Sequence, residues 1–173
     1  LSGSFMGRIL SRVYLETIRN TPLIVQIYLM YFVIGPILGL GRFGSAVLAL
    51  TLFEGAYMSE IFRAGITSLH KGQWEAAHSL GLSTYYTYRD VILPQAVRRI
   101  LPPLTGQVIT LIKNSALVSI VSLSDLALNA KIIAADTFLT FEIWFTAAAI
   151  YLVITIALST LAYYLEKRFK ILT

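Results

Sequence analysis

The chain has 173 residues, 57% of them hydrophobic and 13% charged, whereas ordinary soluble domains carry about 45–50% and about 25%, which excludes a soluble domain and places it in a bilayer. It has no cysteine, so disulfide frameworks, thiol chemistry and thiolate metal sites are excluded. The formal charge of +5 does not point to nucleic acid, because the basic residues bracket apolar segments instead of forming a polar face with interleaved aromatics.

The chain opens on Leu1 with no initiator methionine and no signal peptide, so further sequence is expected ahead of it. Over residues 1–20, Arg8, Arg12, Glu16 and Arg19 recur on one helical face while Met6, Leu10, Val13 and Thr17 line another. This predicts an interfacial helix or the end of a preceding span. Thr21 can cap the next helix, with Pro22 at its first position. An apolar run then continues to Leu40 with Gln26 as its strongly polar interruption and a kink expected at Gly35-Pro36. The expected spans are about 22–40, 43–62, 95–123 and 141–165. The third is expected to break at Pro102-Pro103, and residues 124–140 read as a polar loop with Asp125, Lys131 and Asp136.

Between the second and third spans lies the most legible polar stretch. Gln73 to Leu80 reads as a short helix with Glu75 in its first turn, where a carboxylate meets the positive end of the helix dipole. Gly81 ends that helix, since glycine reaches the left-handed conformation without steric cost, and Ser83 can cap a second short helix. The product is a helical knob over about 73–93. Ala76 and Ala77 are expected to leave its surface flat enough for another backbone to approach. Pro94 is expected to start a new helix and push Leu93 toward extended geometry.

Glu75-Ala76-Ala77, three residues, Gly81, nine residues and then Val91-x-Leu93-Pro94 resembles the EAA signature of permease subunits of bacterial ABC importers, with Val91 where isoleucine is usual. Arg19-Asn20-Thr21-Pro22-Leu23, Ala56-Tyr57 with Glu60-Ile61-Phe62-Arg63, Lys71-Gly72-Gln73, Ile92-Leu93-Pro94-Gln95-Ala96 and Lys113-Asn114-Ser115 are similar to its polar amino-acid subfamily (histidine, glutamate, glutamine, arginine, opines). Asn20 departs from the glycine common there; asparagine also tolerates a positive φ. The resemblance implies an all-α helical bundle with the type I ABC importer permease core, four spans present here and a fifth ahead of residue 1. It implies a bacterial plasma-membrane protein with ABC ATPase subunits, a second permease subunit (another copy or a relative), an extracytoplasmic solute-binding protein, an amino-acid substrate and membrane lipid as partners. ATP and magnesium would sit on the ATPase, with no cofactor in this chain. The knob is then a coupling helix docked in a cleft of that ATPase: Glu75 an ion-paired anchor, Ala76, Ala77 and Gly81 the close fit and turn, Leu93 and Pro94 the end of the signature. A permease for a sugar, peptide or metal and a non-transport membrane assembly protein stay open as alternatives.

With the knob in the cytoplasm, Arg8, Arg12, Arg19, Arg63, Lys71, Arg89, Arg98, Arg99, Lys167, Arg168 and Lys170 are inside, against Arg42 and Lys131 outside. The positive-inside rule favours this topology and a cytoplasmic C-terminus.

Ionisable groups inside a membrane usually face a bundle interior, a partner or a wet cavity. Glu54, Lys113, Asn114, Ser115 and Glu142 are the candidates for a substrate path. For Glu54, a hydrogen-bonded carboxyl packed between helices is an equal reading. Lys113 can meet a substrate carboxylate or pair with an acid such as Glu54, and Glu142, like Asp136 before it, can be a solvated interfacial acid. At 100° per residue, Gln107, Thr110 and Asn114 share one arc of about 60° and Ser115, Ser119 and Ser122 an adjoining one, which suits a cavity wall or polar helix packing. Glu60 and Arg63, one turn apart, read as a local ion pair, and His70 and His78 as surface residues. No P-loop, Gly-x-Ser-x-Gly elbow or His-Glu-x-x-His pair occurs, so this chain reads as a transporter subunit, not an enzyme.

Overall fold

The computed structural model describes residues 5–169; Lys170 and the side chain of Arg168, both counted among the basic residues above, lie outside them. The elements are α1 (Phe5–Arg19), α2 (Leu23–Leu29), a π-helical turn (Met30–Ile34), α3 (Gly35–Leu38), α4 (Arg42–Thr67), α5 (Lys71–Ser79) and α6 (Thr84–Tyr86). A second π-helical turn (Thr87–Ile92) leads into α7 (Leu93–Ser115), a 3-10 turn (Ala116–Val121), α8 (Leu126–Thr137) and α9 (Thr140–Phe169). There is no strand among the described residues. Among the described residues, three runs are long and apolar enough to cross a membrane: Arg42–Thr67, Thr84–Val121 and Thr140–Tyr164. The pair Phe5–Arg19 and Leu23–Leu38, bent by 108°, passes the same test only when taken together.

The chain divides into two compact units. The first holds the chain up to Tyr57 together with Thr110–Ile156. Its core joins buried Leu23, Ile27, Ala49 and Val121, with Met30, Tyr31, Phe53 and Leu117 packed around them. The turn between α1 and α2 is held by one buried side chain. Gln26 Nε2 donates to the Ile18 carbonyl (2.7 Å), the Thr21 carbonyl (3.1 Å) and Thr21 Oγ1 (2.8 Å). It thereby supplies a donor to a carbonyl that the end of α1 leaves without an intrahelical partner. The helix cap is therefore Pro22, not Thr21, whose hydroxyl instead donates back to Thr17 O. Nor is Asn20 left-handed, since the positive-φ residues other than glycine are Ser122 and Phe138 among the described residues. Its amide donates to the Glu16 carbonyl at 2.8 Å, which serves the helix end where glycine would have turned the chain.

Pro94 and Pro102-Pro103 behave differently from the expectation. Pro36 follows the first π turn, and the Gly35 N–H reaches back to Met30 O, five residues earlier. Pro94 follows the second, and the Leu93 N–H reaches Tyr88 O in the same way. A proline ring clashes with the carbonyl four residues back and cannot donate to it; a wider turn ahead of the ring relieves both problems within a continuous helix. So Pro94 does not start a helix, and Leu93 is helical (φ −60°, ψ −43°) instead of extended. Helix α7 likewise runs through Pro102 and Pro103 without a break. The expected polar loop at 124–140 is largely α8, because Asp125 caps it by accepting the Leu128 N–H at 2.8 Å.

The second unit holds Met58–Ile109 and the chain from Ala157. Leu69, Ile92, Ala96 and Ile100 are its buried core, flanked by Ile61, Ile66, Trp74, Tyr88, Val91 and Leu104. Gly65 lets α4 and α7 approach closely, since a Cβ there would run into Ile100. Arg99 donates to the carbonyl and hydroxyl of Ser68, just past the end of α4. The expected Glu60–Arg63 pair is present, with Nε 3.0 Å from Oε1 and Nη2 2.8 Å from Oε2. Thr105 Oγ1 donates to Glu166 Oε1 at 2.7 Å and joins α7 to the last turns of α9.

Gly65→Val is expected to destabilise the protein by about 1–3 kcal/mol through overpacking against Ile100. Gly106→Ala, with nothing within 4 Å of its new Cβ, should be neutral or stabilising by about 0.5–1 kcal/mol; thermal melts in detergent check the pair. Gln26→Leu is expected to cost about 1–3 kcal/mol by leaving the part-buried carbonyls of Ile18 and Thr21 without their donor, and the same melts test it.

Candidate functional site

The knob is built from local signals that support one another. Helix α5 begins two residues before the expected start, because His70 caps it: its ring Nδ1 accepts the Gly72 N–H at 3.0 Å. Glu75 consequently lies beyond the first turn, and the dipole argument for its placement does not apply. The other end is a Schellman closure. Gly81 sits at φ +74°, its N–H bonds His78 O at 2.9 Å, and the Leu82 N–H bonds Ala77 O at 3.1 Å. Ser83 occupies the next cap position, where its carbonyl accepts the Thr87 N–H at 2.9 Å but its hydroxyl makes no capping bond.

Packing then fixes the knob on its own helices. The Trp74 and Tyr88 rings meet edge to face with centroids 5.0 Å apart, over the Leu69, Ile92 and Ala96 core. Gln95 Nε2 donates to Gln73 Oε1 at 3.2 Å and to Val91 O at 2.9 Å. These contacts decide which face is free. Ala77 is 3% exposed and packs inward, so the flat outer surface expected of both alanines is left to Ala76 alone. Glu75 is exposed, and its carboxylate makes no ion pair or hydrogen bond among the described residues. Leu80, 81% exposed, and the paired rings of Tyr85 and Tyr86 add an apolar border that the spacing argument missed. Their signal was present: three large side chains bracket the glycine of a polar loop. Leu93 and Pro94, also exposed, belong to the helix that follows the π turn.

The intramembrane candidates lie in the first unit. Glu54 is buried, 4% exposed. Lys113 is exposed on the last turn of α7 and forms no ion pair among the described residues, so pairing with Glu54 is not seen. Asn114 and Ser115 are half-buried beside it, and the Ser115 hydroxyl is spent on Ile112 O at 2.8 Å. The polar arc drawn at 100° per residue stops there: the chain tightens into the 3-10 turn, and Ser122 ends it left-handed at φ 57°. Glu142 is exposed in the first turn of α9. One open cavity of about 450 Å³ in this unit is lined by Tyr31, Phe32, Pro36, Leu40, Gly41 and Arg42. Another of about 380 Å³ is lined by Thr140, Phe141, Trp144, Phe145 and Ala148. None of the five candidate path residues lines either cavity. No cluster of three or more potential metal ligands occurs among the described residues.

Comparison with known proteins agrees with this architecture. Residues 1–171 match the family described as binding-protein-dependent transport system inner membrane component. The glutamine transport system permease protein GlnP of Escherichia coli (strain K12) is 40% identical over 173 residues, covering 98% of this chain and 79% of that protein. Among solved structures, an amino acid ABC transporter crystallised with histidines superposes with a TM-score of 0.90 at 40% identity, over 96% of this chain and 78% of that one. The MetNI methionine ABC transporter in an inward-facing conformation shares the fold alone, with a TM-score of 0.80 at 17% identity over 99% and 79% of the two chains. With the family pattern running along nearly its whole length, the chain belongs to the inner-membrane components of binding-protein-dependent transport systems.

Proposed function

We propose that this chain is the permease subunit of an ATP-driven importer for polar amino acids, glutamine first among them, and that its α5–α6 knob is the surface on which an ATPase subunit docks. The observation that carries the reading is the knob itself. It is capped at both ends, packed through Trp74 and Tyr88 on its own flanking helices, and presents Glu75, Ala76, Leu80 and Tyr85 outward. A body so fixed can pass a rigid displacement to the helices on either side of it. Glu75 is the anchor, an uncompensated carboxylate for a basic partner, and Gly81 supplies the turn. The relative's printed glutamine specificity supports the substrate class. Lys113, a cation without an ion-pair partner among the described residues, suits a zwitterion's carboxylate, with Glu54, Asn114, Ser115 and Glu142 as further residues of the path. A second permease subunit completes that path, and an extracytoplasmic binding protein delivers the solute. The weight of basic residues on the knob side supports a cytoplasmic C-terminus.

The decisive test is ATP hydrolysis by the complete transporter in liposomes, with binding protein and a panel of amino acids supplied outside. Stimulation by glutamine or a close polar relative is the expected result; stimulation by a sugar, peptide or metal alone would overturn the substrate class. Gly81→Val forces a β-branched residue to positive φ, at about 1–2 kcal/mol. The variant should insert and fold yet lose most transport per ATP hydrolysed, and unchanged uptake would count against the docking role. Lys113→Ala should lower uptake at least tenfold, the effect of losing about 1.4 kcal/mol, while the ATPase subunit still co-purifies. Loss of assembly in that variant would assign Lys113 to structure.

A further inference from the structure

Helix α1 has no buried residue, although it is firmly attached. Tyr14 OH donates to Leu52 O on α4 at 2.6 Å, close to Gly55, where a Cβ would come within 3.2 Å of the hydroxyl. The Arg19 guanidinium lies 5.8 Å from the centroid of the Tyr57 ring. Tyr14 sets which side of α1 faces α4, while Arg19, on the helical face of Arg8 and Arg12, reaches Tyr57 from the last turn; the exposed remainder of α1 is amphipathic. Arg8 and Arg12 stand one turn apart, both exposed, and neither has an ion pair among the described residues. Glu16, the acid one turn on, is engaged by Asn20, whose Nδ2 lies 3.1 Å from Glu16 Oε2. At 100° per residue, Met6, Leu10 and Val13 fall within about 60° of one another and roughly opposite the two arginines, with Phe5 and Ile9 between; Phe5 is 72% exposed. The axis of α1 is turned 108° from the apolar run Leu23–Leu38. If that run stands across the bilayer, α1 lies close to the plane of its surface.

We propose that α1 is an interfacial helix that binds anionic phospholipid, with Arg8 and Arg12 on the headgroup phosphates and Met6, Leu10 and Val13 among the acyl chains. Charge and shape both select this occupant. An acidic soluble peptide would satisfy the arginines and leave the apolar strip in water, whereas a phospholipid offers a negative headgroup and hydrocarbon at the depth of a flat-lying helix. Each arginine near an anionic surface enriches such lipid by roughly fivefold, and the effect is screened by salt.

Residues 1–173 hold no cysteine, so Leu10→Cys, in a permease kept free of any other cysteine, gives one labelling position for a bimane fluorophore. The labelled permease, assembled in its whole transporter on cysteine-free partner subunits, is placed in phosphatidylcholine nanodiscs. A fixed fraction of brominated phosphatidylglycerol or brominated phosphatidylcholine is included as the quencher. Quenching by the anionic lipid should be at least about fivefold more effective per molecule than by the zwitterionic one. That preference should fall with rising ionic strength, vanish in Arg8→Gln/Arg12→Gln and survive in Arg8→Lys/Arg12→Lys. Equal quenching by both lipids would overturn the proposal, as would a preference that persists in the glutamine variant or in high salt. Quenching by neither lipid would mean that protein covers the strip, which also overturns it. The readout does not depend on transport, so it fails or succeeds separately from the function proposed above.

Discussion

A helix in hydrocarbon must satisfy its backbone hydrogen bonds internally, since no water is available to do it. This accounting shapes the chain most visibly at its prolines, in an apolar run at Pro36 and beside the polar knob at Pro94. Pro36 and Pro94 each remove a donor from the ladder, and at each the preceding turn widens so that the N–H before the ring reaches five residues back, Gly35 to Met30 and Leu93 to Tyr88. The helices stay continuous through both rings, where an isolated reading of Pro94 predicts a start. The wider turn at Thr87–Ile92 also has a local consequence: it lies where Tyr88 meets Trp74 and Ile92 enters the core. The backbone adjustment and the packing of the knob therefore occur in the same few residues.

The same accounting explains the helix ends. Ends are where carbonyls and amides lack partners, and in this chain side chains close several of them. Gln26 serves the end of α1, Asn20 the carbonyl of Glu16, His70 the start of α5, Asp125 the start of α8 and Arg99 the carbonyl of Ser68. Capping of this kind gives rigidity at turns without large buried area. For the docking role proposed for the knob, stiff turns matter: a knob that frayed would absorb a push instead of passing it on.

The knob could be located from spacing, but its orientation could not. Glu75, Ala76, Ala77 and Gly81 look equivalent as letters, and only packing separates them. Ala77 is turned into the core, Gly81 is required by a positive φ, and Glu75 and Ala76 are left outward. The large side chains beside them, Leu80, Tyr85 and Tyr86, were legible as residues but not as a face, because the glycine turn between them rotates the chain by an amount that no helical periodicity carries. A similar limit applies to the polar arc through Gln107, Asn114 and Ser119. Its period changes where α7 becomes a 3-10 turn, so positions computed on an ideal helix stop corresponding to real neighbours.

What the sequence determined alone was the membrane class, from its apolar runs; the place of the knob, from Glu75, Gly81 and Pro94 at fixed intervals; and the Glu60–Arg63 pair, from a one-turn spacing. Each of these depends on composition or on interactions within a few residues, which chain order specifies directly. The tertiary structure alone decided that Gln26 holds the α1–α2 turn, that Gly65 admits Ile100, that Lys113 does not pair with Glu54 and that Ala77 faces inward. Those outcomes depend on which surfaces meet across many residues of separation, and a side chain's partners there are set by packing, which no local pattern encodes.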